Sequence, residues 1–145
     1  MKYSWILAFF VVFNLALNPS ATVRAQELIR INEFMAVNNN GLDDEDRDES
    51  DWIEIYNAGM NPVNLEGWYL TDDVNNLTQW AFPEVILAPD AYLVVFASGK
   101  NRRDPLAALH TNFKLKGSGE YLGLVRPDGE TVVWEFFPKI GRAHV

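Results

Sequence analysis

Six consecutive residues, Trp52-Ile53-Glu54-Ile55-Tyr56-Asn57, constrain the fold more tightly than any other part of the chain. Successive side chains of an extended strand point to opposite faces, so Ile53 and Ile55 share one face and Trp52, Glu54 and Tyr56 the other. That is a half-buried strand, and Asn57, Gly59 and Pro62 break it. The same reading predicts strands over residues 28–35, 52–57, 68–71, 79–82, 92–97, 113–115, 121–125 and 131–136, with an acidic loop over 38–51. Pro127-Asp128-Gly129-Glu130 forms a turn between the last two, because Pro presets its dihedral and Gly accepts a positive φ. Many short strands, no long helix and no internal repeat predict an all-β sandwich or barrel. Its expected core includes Ile53, Ile55, Leu70, Leu93, Val95, Leu122 and Leu124.

The ends of the chain carry different information. Lys2, the apolar run over residues 5–17 and Val23-Arg24-Ala25 together predict a cleavable signal peptide over residues 1–25. The run falls short of the roughly 20 apolar residues of a spanning helix, and Asn18-Pro19 follows it, so retention as a membrane anchor is the weaker reading. No stable membrane span is expected after cleavage, and the product is expected to be secreted or held at the cell surface. At the other end, Ile140-Gly141-Arg142-Ala143-His144-Val145 is what ATC GGA AGA GCA CAC GTC encodes, a string that matches a common sequencing adaptor. Residues 139–145 therefore read as a truncation or read-through tail, with a genuine polar tail as the alternative, and the native chain is expected to continue past Lys139. The intervening residues 26–138 form one domain. The chain has no cysteine, hence no disulfide, and roughly 110 residues are enough to be held by a core alone.

Charge narrows the partners. The chain has 12 basic and 20 acidic residues, a net charge of −8. Removing residues 1–25 takes away Lys2 and Arg24 and no acid, which leaves −10. Such a surface repels polyanions, so nucleic acid is disfavoured as a partner. Lys100, Arg102, Arg103, Lys114 and Lys116 could make a local basic patch, but a solvated loop is the simpler expectation.

The words DWIEIYN (51–57) and LEGWYLTDD (65–73), followed in order by YLVVFASGK (92–100), LHTNFKL (109–115) and YLGLV (121–125), resemble the lamin tail domain family in its bacterial secreted form. The resemblance runs from about Ile29 to about Phe136. It implies an immunoglobulin-like β-sandwich acting as a non-catalytic binding or tethering module of a larger exported or cell-surface protein. It leaves two alternatives: an accessory domain of a secreted enzyme, hydrolase or spore-coat kinase-like, or a purely structural surface domain. The ligand class it leaves open is a protein, a glycan or a cell-envelope component. Relatives often read acidic-Gly-acidic in the acidic loop, where this chain has Arg47 between Asp46 and Asp48.

That loop is where chemistry is expected. Asp44, Asp46, Asp48 and Asp51 offer hard oxygen ligands at a spacing suited to Ca²⁺, with Glu54 close behind. An EF-hand needs glycine at its sixth position and a closing glutamate, and here these are Glu49 and Ile55; a solvated acidic turn neutralised by Arg47 is the alternative. No catalytic residue and no other cofactor is expected. Before the tail the one histidine is His110, read as making a structural hydrogen bond beside a strand. Ser98-Gly99 lies in a loop without a GxSxG elbow, and Asp72-Asp73 reads as a turn. Zinc lacks its usual ligands. Among the aromatics, Trp68, Trp80, Trp134, Tyr69, Tyr92 and Tyr121 read as core or cross-strand pairs, with a carbohydrate-stacking platform as the alternative. Trp52 and Tyr56, opposite Ile53 and Ile55, are the candidate binding surface if their face is exposed.

Overall fold

Alternation along the sequence becomes pairing in space. The computed structural model of the protein describes residues 28–137, and these form ten strands. They are β1 (Ile29–Met35), β2 (Trp52–Asn57), β3 (Val63–Asn64), β4 (Tyr69–Thr71), β5 (Trp80–Ala81), β6 (Ile86–Leu87), β7 (Tyr92–Phe96), β8 (Leu109–His110), β9 (Leu122–Val125) and β10 (Val132–Phe136). Among the described residues there is no helix. Two open four-stranded sheets, ordered β1-β2-β7-β8 and β10-β9-β4-β5, supply the two layers, and β3 pairs with β6 apart from them. The predicted signal peptide over 1–25 and the tail over 139–145 lie outside the described residues.

The expected alternation of β2 holds residue by residue. Ile53 and Ile55 are fully buried and face Val95 and Leu93 of β7, while Glu54 and Tyr56 face Val94 and Tyr92 on the other side of the sheet. Asn57, expected to close the strand over 52–57, is its last residue and is buried. Its amide nitrogen donates to the Asn61 and Leu87 carbonyls at 2.8 and 3.0 Å, and its oxygen accepts from the Gly59 N–H at 2.9 Å. A buried amide with both ends satisfied fixes the turn that leaves β2 at no desolvation penalty.

The flanking strand β1 does not alternate so simply. Ile29 and Ile31 face inward at odd positions, but Phe34 does so at an even one, and a bulge between Ile31 and Glu33 absorbs the change. One extra residue switches the inward parity, which lets an irregular sequence keep a continuous apolar face. The core formed between the sheets contains Ile53, Ile55, Leu70, Val95, Leu122 and Leu124, with Leu93 partly buried against it. Trp68, Trp80 and Tyr121 are also buried. In the turn before β4, Gly67 sits at φ +74°, in the left-handed region open to glycine, and the Trp68 N–H donates to the Leu65 carbonyl at 2.9 Å.

One expectation is corrected. Residues 113–115 form no strand; they make a single antiparallel bridge, Ser98 with Lys114. The strand is one step earlier, where Leu109 and His110 pair in parallel with Val95 and Phe96. Strands β3 and β6 pair without a signal in the sequence, since two residues are too few to show a period. The Pro127 turn is present, with Gly129 at φ +73° and its N–H bonded to the Arg126 carbonyl at 2.9 Å. Asp128 caps it through the N–H groups of Glu130 and Thr131 and the Thr131 hydroxyl, which hold its carboxyl down at about 2.

Because Ile55 lies at zero exposure between β1 and β7, Ile55→Asp buries an unpaired carboxylate at a cost of about 4 kcal/mol or more. The variant is expected to lose its cooperative melt and its β-type circular dichroism.

Candidate functional site

The acidic loop between β1 and β2 is built around Asp44. Its side chain is fully buried, and its Oδ1 accepts the N–H groups of Asp46 and Asp48, both at 3.0 Å. Its Oδ2 accepts the Ser50 hydroxyl at 2.9 Å. The Arg47 N–H donates to the Asp44 carbonyl at 2.9 Å, which closes a tight turn. Asp51 anchors the far end of the loop, its Oδ1 accepting from the Val37 and Asn38 N–H groups at 2.8 and 3.1 Å.

A second segment, residues 98–102, lies alongside this loop. The Gly99 and Asn101 N–H groups donate to the Phe113 and Thr111 carbonyls, and the His110 N–H donates to the Arg102 carbonyl at 2.9 Å. This framework delivers two cations to the acids. The Lys100 ammonium sits 2.6 Å from Asp44 Oδ2, 2.7 Å from Asp46 Oδ2 and 2.9 Å from Asp48 Oδ2. Arg102 spans Glu45 through Nη1 and Asp46 through Nη2, the latter at 2.7 Å. Beneath them His110, at zero exposure, stacks on Phe96 with ring centroids 5.3 Å apart. Its Nε2 lies 2.8 Å from Glu45 Oε2 and its Nδ1 lies 2.8 Å from Ser98 Oγ. In the neutral ring Nε2–H donates to the carboxylate, so Nδ1 accepts the Ser98 hydroxyl proton.

The electrostatics follow the geometry. Burial alone would push the Asp44 carboxyl up; Lys100, the Asp48 N–H, the Ser50 hydroxyl and the Asp46 N–H reverse this and hold it far below 3.8. For Glu45, too, burial is outweighed, by its own backbone N–H, His110 and Arg102. Arg102 and then Lys100 lower Asp46. Desolvation opposes the charge on Lys100, yet its hydrogen bonds to Asp44, Asp46 and Asp48 raise it well above 10.5.

Of the four residues read as Ca²⁺ ligands, Asp44, Asp46 and Asp48 converge, with one oxygen from each within 4.8 Å of the others. Asp51 does not join them, because its oxygen is committed to backbone N–H groups. The centre they make is where the Lys100 ammonium sits, so a calcium ion there would have to displace it. Arg47, expected to neutralise the loop, forms no ion pair among the described residues; Lys100 and Arg102, expected as a solvated loop, neutralise it instead. Asp44, Glu45 and His110 form a second cluster of ligand-type atoms, which the sequence reading did not assemble. Ser98, expected in a loop without a GxSxG elbow, lies 2.8 Å from His110. The clue was present in the words ASGK and LHTNF, which carry the resemblance and which meet here.

The aromatic pair has a different environment from the loop. Trp52 and Tyr56 are half-buried on the outer face of the β1-β2-β7-β8 sheet. Tyr56 stacks on Tyr92 with centroids 4.6 Å apart and an interplanar angle of 24°, and the Arg30 guanidinium lies 5.1 Å over the Tyr56 ring. The Tyr56 hydroxyl donates to Asp90 Oδ1 at 2.9 Å, which raises its pKa. Tyr92 is 55 % exposed, whereas Trp68 and Trp80 are core.

Arg47 sits at φ +66°, in the left-handed region that favours glycine. Arg47→Gly is expected to stabilise the domain by about 0.5–1 kcal/mol, read as a higher denaturant midpoint, because relief of the Cβ clash exceeds the added unfolded-state entropy. The pH dependence has a definite sign. Asp44, Glu45 and Asp46 have lowered folded values, so their stabilisation is present above the ordinary 3.8–4.5 and is lost as pH falls through those lower values. The raised Lys100 contributes below 10.5 and loses its contribution as pH rises through its higher folded value. A thermal-melt series is expected to show a plateau from about pH 5 to about pH 10. Lys100→Met should lower that plateau by about 3 kcal/mol, shrink the acid limb and make the melting temperature respond more strongly to calcium than in the parent chain.

Comparison with curated proteins gives no match. The sequence profile described as Lamin Tail Domain matches residues 22–136, which include every strand. That family is an immunoglobulin-like, non-enzymatic domain family, in keeping with two open all-β sheets around one core. With most of its length matched, the chain belongs to the lamin tail domain family.

Proposed function

We propose that this chain is a non-catalytic binding or tethering module of an exported or cell-surface protein, and that its contact surface is the outer face of the sheet containing β2. The observation that carries the reading is the Arg30–Tyr56–Tyr92 stack, an ordered aromatic and cationic surface on the side of the sheet away from the core. Stacked rings with a guanidinium above them present a rigid, amphipathic surface that loses little entropy on contact. Export is supported by the charged start, apolar run and small-residue site of residues 1–25.

One feature favours a second reading. The chain Ser98–His110–Glu45 has the hydroxyl–imidazole–carboxylate connectivity of an acyl-transfer enzyme. Against it, Ser98 is only 8 % exposed, its oxygen already accepts the Lys100 N–H at 3.2 Å, and Glu45 is shared with Arg102. We therefore read this chain of hydrogen bonds as a brace that fastens the acidic loop to β8.

Retention of the protein on immobilised cell-envelope polysaccharide and envelope protein fractions tests the proposal. Tyr92→Ala, at an exposed position, is expected to reduce retention by about tenfold with little change in melting temperature. Undiminished retention would remove this surface from the proposal. Turnover of an ester or glycoside panel that disappears in Ser98→Ala and His110→Gln would overturn the non-catalytic reading.

A further inference from the structure

Among the described residues, β1 and β10 are the edge strands of their sheets on the same side of the sandwich, and they are not paired with each other. At one end they are wedged together. Phe34 of β1 meets Trp134 and Phe136 of β10 edge-on, with centroids 6.4 and 5.1 Å apart. At the other end they diverge around an open cavity of about 410 Å³. Leu28, Ile29, Val133 and Trp134 supply its apolar walls, and among the described residues its charged lining is Arg30 and Arg126.

We propose that this gap is a docking groove for an extended peptide segment of another protein, in which acidic side chains alternate with apolar ones. The backbone argument comes from the register of β1. Ala58 donates its N–H to the Leu28 carbonyl at 3.0 Å, so the Leu28/Ala58 pair is hydrogen-bonded. Antiparallel pairs alternate between bonded and non-bonded, and Ile29 is opposite Asn57. Ile29 therefore directs its N–H and C=O away from β2, toward the free edge, where an added strand can take them.

The side-chain argument follows from the same alternation. A strand laid along Leu28–Ile31 sends every second side chain inward beside Ile29 and Ile31, toward Val133 and Trp134, where an apolar group is needed. The intervening side chains emerge on the outer face beside Arg30, which is exposed and cationic, where a carboxylate fits. The cavity volume lies within the range of ordinary ligand sites, about 300–1,000 Å³. The groove shares Arg30 with the Arg30–Tyr56–Tyr92 surface, but its apolar walls, Ile29, Val133 and Trp134, belong to it alone, so shifts at those residues with Tyr92 unmoved separate docking here from contact at that surface.

The test uses the full chain labelled with ¹⁵N and titrated with acetyl-Val-Glu-Val-Glu-Val-amide. Saturable shifts are expected at Ile29, Arg30, Val133 and the Trp134 indole, with Tyr92 unmoved. The matching lysine peptide should bind about tenfold more weakly. Leu28→Glu, at an exposed position on the mouth, should weaken the glutamate peptide without unfolding the domain. Arg30→Glu should reverse the preference in favour of the lysine peptide. Absence of saturable shifts at millimolar peptide, equal binding of the two peptides, or shifts centred away from Ile29 and Val133 would each overturn the proposal.

Discussion

Every side chain of β2 has an assigned side of the sheet, and most of the domain is organised around that assignment. Ile53 and Ile55 enter the core, Glu54 and Tyr56 meet β7 on the opposite face, and Asn57 secures the turn toward β3. A slip of one residue would expose both isoleucines and bury a carboxylate, so the register is strongly specified. The preceding Asp51 carries this order into the acidic loop. Its carbonyl accepts the Ala97 N–H at 2.7 Å just beyond β7, while its carboxylate holds the Val37 and Asn38 N–H groups just beyond β1. The loop thus starts and ends on one residue at the root of the central strand.

The loop itself is organised by charge. Asp44 is a buried carboxylate in a turn of its own making, and such a group is tolerated only when it is both hydrogen-bonded and paired. Lys100 supplies the pairing while also serving Asp46 and Asp48, and Arg102 joins Asp46 to Glu45. The ammonium is compact and donates three hydrogen bonds, which matches three convergent carboxylates; the guanidinium is planar and bridges two. What could be a site for a soluble cation is occupied by one bound covalently to the chain.

The sequence revealed what is local and concealed what is distant. Alternation over residues 52–57 and the apolar run over 92–97 gave two strands with nearly correct ends, and the core members followed from them. The Pro127 turn was legible because its chemistry lies within four residues. By contrast β3, β6 and β8 are two residues each and have no period to read. The electrostatic site was half legible. Carboxylates at alternate positions were conspicuous, but Lys100 is 56 residues from Asp44 and His110 is 65 from Glu45, and no spacing rule connects them. Arg47 was noticed for its charge, whereas its structural significance is its backbone angle.

The distance between those partners also has a consequence in time. A chain emerging from its amino-terminal end can begin to pair β1 with β2 while the acids between them still lack Lys100, Arg102 and His110. Until then the loop is a stretch of like charges that repel one another and favour open conformations. It can close only after β7 has been laid against β2 and the parallel step to β8 has brought His110 beneath Glu45. Contacts so far apart in sequence must be bought with loop-closure entropy before they return any stability, which makes them late events in folding. The acidic loop is therefore a seal on the finished sandwich: it stays open through assembly and locks when the second half of the chain arrives.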